Sequence, residues 1–171
     1  AALRDLEDAS RLEPEDHRID YFRGLVYLSA GRDSEAEAAL RGFLERQSGP
    51  HPAAREARAR ALLKLGRPLA AAREYDLAID EQPVPMPDYY YERARAFAAA
   101  GDAYLAEAIR GLDEGIEAIG PIVTLERVAI DLELRRGAID AALARLTRIV
   151  ERSSRRETWL ARHGEILAGA G

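Results

Sequence analysis

The stretch Gly24-Leu-Val-Tyr27-Leu-Ser-Ala-Gly31 and its counterpart Ala59-Arg-Ala-Leu62-Leu-Lys-Leu-Gly66 decide how this chain folds. In each, a small residue is followed three positions on by a large one and seven positions on by glycine. The glycine recurs as Gly31, Gly66, Gly101, Gly137 and Gly171, at intervals of 35, 35, 36 and 34 residues. Each closes one stretch with helical periodicity and precedes another. A repeat of this length built from two helices is a solenoid unit, one that buries its apolar face only by stacking on its neighbours.

Between the glycines, Ala-rich segments carry apolar residues at three- and four-residue spacings, and alternating β-branched runs are nearly absent. Prolines punctuate the joints at Pro14, Pro50, Pro52, Pro83, Pro85, Pro87 and Pro121, with Pro68 in the short turn after Gly66. These breaks predict helices at about 2–12, 17–30, 34–46, 53–65, 69–81, 89–100, 104–119, 123–136, 139–152 and 156–168. Asp33 or Ser34 is placed to cap the helix after Gly31, and Asp102 the one after Gly101.

Set in register by the glycines, the units resemble tetratricopeptide repeats. Gly24, Tyr27, Gly31, Ala36, Leu40 and Phe43 carry the family spacing, as do Ala59, Leu62, Gly66, Ala71, Tyr75, Ala78 and Pro83. The third unit shows Ala94, Phe97 and Gly101, then Ala108, Leu112 and Gly115 two residues late, which predicts a longer turn near Ala103–Tyr104. The fourth has Ile130, Gly137, Ala142, Leu146 and Ile149. Ala2, Leu6, Ala9 and Pro14 resemble the second half of a repeat, and Gly164, Leu167 and Gly171 the first half of another. The resemblance implies an all-α, right-handed α-solenoid (superhelix) of antiparallel helix pairs. A single domain over 1–171 is expected, with repeats at 17–51, 52–86, 87–122 and 123–156 and half repeats at 1–16 and 157–171.

In this reading Gly24, Ala59, Ala94 and Gly164 let helix backbones approach, while Tyr27, Leu62, Phe97 and Leu167 fill the space beside each contact. The slot before each small residue, apolar in the family, holds Arg23, Arg58, Arg93 and His163. Tyr21, Phe22, Tyr89 and Trp159 are expected to supply the missing bulk. The arginine ladder Arg23, Arg58 and Arg93 admits two readings. It grips an anionic ligand, or each guanidinium pairs with a nearby acid such as Glu56, Asp76 or Glu92.

The resemblance further implies that the first helix of each pair lines a concave groove. Offsets from the glycines assign to it Arg18, Tyr21, Leu25 and Leu28, then Glu56, Arg60, Leu63 and Lys64. Tyr91, Arg95 and Ala98 follow, then Thr124, Arg127, Asp131, Leu134 and Arg135. This set is more basic than the chain as a whole, and an extended peptide with acidic groups suits it. A subfamily that grips the C-terminal carboxylate of chaperones does so with lysines and asparagines. This chain has no asparagine, which argues against a clamp of that form. In the run Tyr89-Tyr90-Tyr91, core packing is expected to absorb most of the rings, with Tyr91 toward the groove.

Composition bounds the rest. The net charge of −5 makes nucleic acid a poor default partner. No cysteine is present, so disulfides and thiolate zinc sites are excluded. No apolar run approaches the roughly 18 residues of a membrane span. His17, His51 and His163 form no metal-binding or nucleophile motif, and no phosphate loop occurs, so no catalytic residue, metal or cofactor is expected. The chain starts at Ala1 rather than methionine, and that start reads as an excised or processed piece. The expected role is a protein- or peptide-binding scaffold. The alternative is a structural or oligomerisation domain of a larger, possibly enzymatic, polypeptide. The last helix, with Ile166 and Leu167, is expected to present an unpartnered apolar face for self-association.

Overall fold

A computed structural model describes residues 2–13, 15–152 and 156–169. The helices are α1 (Ala2–Leu12), α2 (Arg18–Ser29), α3 (Asp33–Arg46), α4 (Pro52–Lys64), α5 (Pro68–Glu81), α6 (Pro87–Ala100), α7 (Leu105–Ile119), α8 (Val123–Arg135), α9 (Ile139–Arg152) and α10 (Arg156–Gly169). Pro52, Pro68 and Pro87 each occupy the first helical turn, where the missing N–H costs nothing and the fixed φ suits the helix.

Three of the repeat glycines do the same mechanical work. Gly31, Gly66 and Gly137 hold φ of 70°, 69° and 78°. The next residue's N–H then reaches back to the carbonyl five positions earlier: Arg32 to Tyr27 at 2.9 Å, Arg67 to Leu62 at 2.9 Å and Ala138 to Glu133 at 2.8 Å. This six-to-one bond reverses the chain within three residues and stands the next helix against the last. Gly101 differs, with φ 123° and ψ 171°, and it leads into a 3₁₀ turn at Asp102–Tyr104 before α7 begins. Gly171 lies outside the described residues.

Expected side-chain caps are not formed. The reversal puts Arg32 at the N-cap of α3, so Asp33 and Ser34 fall inside the first turn. Asp102 is likewise inside its 3₁₀ turn, and its carboxylate accepts from Arg135 at 2.5 Å. A cap that sequence did not suggest is His51, whose Nδ1 accepts from the Ala54 N–H at 3.1 Å.

The helices pair as α2–α3, α4–α5, α6–α7 and α8–α9, with each pair stacked on the next; α1 packs on α2 and α10 on α9. The core is accordingly a chain of clusters that each span three successive helices. Leu28, Leu40, Phe43 and Ala57 join α2, α3 and α4. Leu62, Tyr75, Ala78 and Tyr89 join α4, α5 and α6. Tyr90, Leu112 and Leu125 join α6, α7 and α8, and Ile130, Leu146, Ile149 and Ile166 join α8, α9 and α10. Helix α4 is buried on two faces, Ala54, Ala57 and Ala61 toward one pair and Ala59 and Leu62 toward the other, which explains its alanine content.

The small residues work as expected in the first three units: Ala59 and Ala94 are buried, and a Cβ on Gly24 would sit 2.5 Å from Leu40 Cγ. Gly164 does not follow them. It is exposed, with no neighbour within 4 Å of a Cβ built there, because no following described helix packs on that face of α10. Ile166 is also corrected: it is buried against α9 rather than unpartnered. The side chain of Leu167 lies outside the described residues. Phe22 supplies no core bulk, being 52% exposed, whereas Tyr21, Tyr89 and Trp159 pack into or against the clusters.

Candidate binding groove

First helices α2 and α4 lie side by side, as do α6 and α8, and α4 and α6 together wall one cavity. An open cavity of ≈ 390 Å³ is lined by Glu56, Arg60, Leu63 and Lys64 from α4, Glu92 and Arg95 from α6, and Tyr75 from α5 behind them. Arg60, Lys64 and Arg95 thus line one cavity. Arg95 pairs with Glu92 at 3.0 Å and lies 5.5 Å over the Tyr91 ring. Lys64 reaches Asp33 only at 3.8 Å, and Arg60 has no ion-pair partner among the described residues.

The flanking first helices are less uniform. On α2, Arg18 is held by Asp16 at 2.7 Å, and that pairing pulls the Asp16 carboxyl down to about 2. Tyr21 packs on Phe43 and His51, at ring distances of 5.3 and 4.7 Å, and Leu25 leans on the same cluster. Leu28, placed in the groove by its offset, is instead core, because the face of α2 at that level abuts α3 and α4. On α8, Arg127 is exposed without an ion-pair partner among the described residues. Arg135 is tied to Asp102 and to the Ala98 carbonyl at 3.3 Å.

The arginine ladder turns inward. Arg58 of α4 binds Glu37 of α3 at 2.8 Å and Glu74 of α5 at 2.7 Å, so one guanidinium ties the second helices of two successive pairs. Arg93 repeats the device, reaching Asp76 of α5 at 2.9 Å and Glu114 of α7 at 2.6 Å. Gly111 and Gly115 make room for it: a Cβ on Gly111 would strike the Arg93 guanidinium at 2.6 Å, and one on Gly115 the Tyr90 ring at 2.7 Å. Arg23 pairs with Asp20, which also accepts from Arg46 of α3. Of the acids suggested from sequence, Asp76 is a partner, while Glu56 and Glu92 face the groove cavity.

In the fourth pair the polarity is reversed. Arg145 sits on the second helix, α9, and binds Glu133 of α8 and Asp113 of α7, each at 2.7 Å, with Glu126 at 3.6 Å. Burial alone would lower the Arg145 pKa, but the hydrogen bonds to Glu133 and Asp113 outweigh it and the net shift is upward. Charges that are buried must be paired in this way. Arg58, Arg93 and Arg145 are therefore more buried than the exposed cations Arg60, Lys64 and Arg95 at the cavity.

A stack of helix pairs, most of them joined by glycine reversals, defines a helical-repeat scaffold. The tetratricopeptide repeat family profile matches residues 1–52, 34–84 and 56–114, and the chain belongs to that family. Its repeats are protein-interaction scaffolds, generally without catalytic activity. Among solved structures, the chain is similar to the MamA RS-1 ArsTM double mutant, with TM-score 0.71 and 19% identity over 87% of this chain and 82% of that one. A crystal structure of MamA gives TM-score 0.73 and 16% identity, over 93% of this chain and 88% of that one. TTC0263, a thermophilic TPR protein in Thermus thermophilus, gives 0.57 and 17%, over 95% of this chain and 87% of that one. At these identities the likeness is one of fold. Curated proteins offer no match. Among the described residues, no helix is long and apolar enough to cross a membrane.

Proposed function

We propose that the first-helix face of α2, α4, α6 and α8 binds an extended protein segment that carries acidic groups. The observation that carries this reading is the convergence of Arg60, Lys64 and Arg95 around one open recess, with Tyr91 and Leu63 as adjacent contact surface. Elsewhere the chain neutralises its arginines internally, at Arg58, Arg93 and Arg145. Solvent-exposed cations gathered in a concavity, of which Arg60 has no ion-pair partner among the described residues and Arg95 and Lys64 hold only surface pairs, attract an acidic ligand. Tyr21 and Arg18 at one end and Arg127 and Arg135 at the other extend the face, so the ligand runs across successive first helices rather than filling one pocket. In this reading residues 1–171 act as one solenoid, with α1 and α10 as half repeats.

Lys64→Glu and Arg127→Glu test the proposal by fluorescence anisotropy. The probe is a labelled peptide alternating Glu and Gly, and the counterpart alternating Gln and Gly serves as control. Both substitutions should weaken the Glu–Gly peptide by about tenfold at low salt, with the loss shrinking as ionic strength rises. Unchanged affinity in both variants removes the groove from consideration and leaves a purely structural role.

A further inference from the structure

One polar atom on the floor of the recess, the hydroxyl of the core residue Tyr75, is not explained by packing. Nine residues after Gly31, Gly66 and Gly137, and eleven after Gly101 because of the 3₁₀ turn, the second helices place Leu40, Tyr75, Leu146 and Leu112 at one register position. All four are at most 1% exposed. Three fill that position with leucine, and only the pair beneath the cationic recess carries a hydroxyl. The Tyr75 Oη has no hydrogen-bond partner among the described residues. A buried hydroxyl without a partner carries a desolvation penalty that a leucine would avoid. Tyr75 also lines the same cavity as Arg60, Lys64 and Arg95, so its ring reaches from α5 through to the first-helix face.

The surroundings fix what the hydroxyl can do. Burial, and then the negative charges of Glu92 and Glu56, push the phenol's pKa upward, which keeps it protonated and able to donate. The cavity wall carries three cations, Arg60, Lys64 and Arg95, against two carboxylates, Glu56 and Glu92. The excess of one positive charge matches a single carboxylate and undercompensates a phosphate dianion.

We infer that Tyr75 is a ligand-anchoring residue, whose hydroxyl donates to a carboxylate oxygen of an acidic side chain of the bound peptide while Arg60 and Lys64 balance its charge. This rests on the groove reading above, and the experiment separates the two. Tyr75→Phe and Tyr75→Leu are each measured with the Glu–Gly peptide, the Gln–Gly peptide and a phosphoserine–Gly peptide. Tyr75→Leu supplies the residue that the other pairs use at this position. Tyr75→Phe should melt no lower than the parent within about a degree or two, since only an unpartnered hydroxyl is removed, whereas Tyr75→Leu also takes ring volume out of the core and should melt lower. Each should bind the Glu–Gly peptide about tenfold more weakly and the Gln–Gly peptide with little change, so that the two substitutions couple in a double-mutant cycle. Parental affinity in Tyr75→Phe, with Lys64→Glu and Arg127→Glu still weakening the peptide, overturns the role of Tyr75 and leaves the groove reading intact. Absence of Glu–Gly binding to the parent overturns both. A phosphoserine peptide that binds more tightly, with the same dependence on Tyr75, overturns the carboxylate assignment.

Discussion

Arg145→Met isolates the internal charge pairing. The substitution keeps an unbranched apolar stem but removes the guanidinium that three carboxylates share. The cost is not spread evenly among them. The Asp113 side chain is 51% exposed and water replaces its partner at little cost. Glu126 keeps Arg152 at 2.6 Å. Glu133 is 5% exposed and has no other ion-pair partner among the described residues, so it bears almost the whole effect. Stranding one buried carboxylate in this way costs about 3–5 kcal/mol. Urea denaturation followed by circular dichroism should show that loss. The double variant Arg145→Met with Glu133→Gln should recover about 2 kcal/mol or more of it, because the stranded charge is gone. A single-variant loss under about 1 kcal/mol, or a double variant no better than the single, would refute the pairing argument.

Other expectations follow from backbone geometry and from one surface pair. Gly24→Ala drives a Cβ against Leu40 and should cost about 1–3 kcal/mol. Gly42→Ala, whose nearest neighbour is the Arg46 Nη2 atom at 3.7 Å, should instead gain up to about 1 kcal/mol, both read by denaturant titration. Gly66→Asn, at φ 69°, should be tolerated with a loss of about 1 kcal/mol or less. Gly101→Asn, at φ 123° and ψ 171°, should cost about 1–3 kcal/mol by the same assay, because only glycine takes that conformation freely. Asp16 should titrate near about 2 in an NMR pH series, and Arg18→Ala should return it toward 3.8. Since its folded pKa is lowered, its stabilising contribution is present above 3.8 and is lost as pH falls from there toward about 2.

The fold was legible because its signals are local. Gly31, Gly66 and Gly137 mark reversals that only a positive φ permits, and prolines mark helix starts, so helix bounds fall within one or two residues of their expected places. The lateness of Ala108 and Leu112 after Gly101 pointed to the turn now seen at Asp102–Tyr104. The caps failed because the glycine reversal shifts the chain by a residue that sequence spacing does not resolve. The seam partners were hidden for a different reason. Glu37, Glu74 and Glu133 look like ordinary solvated residues of a helical face, and only the stacking of successive pairs buries them. Equivalence of Arg58 and Arg93 was readable from the repeat, but whether they faced ligand or neighbour depends on helix rotation, which a periodicity leaves open. The position of Tyr75 in the repeat reads as core, and only the structure shows it lining the same recess as Arg60 and Arg95.

Amide chemical-shift mapping of the protein with the Glu–Gly peptide tests the central claim most directly. Exposed arginines also occur on the second helices, at Arg41, Arg73 and Arg110, so a non-specific acidic peptide has an equal opportunity there. The groove account predicts shifts concentrated on α4 and α6 around Arg60, Lys64 and Arg95, fading toward α2 and α8. Shifts centred on α3, α5 and α7, or scattered over every exposed arginine, would contradict it.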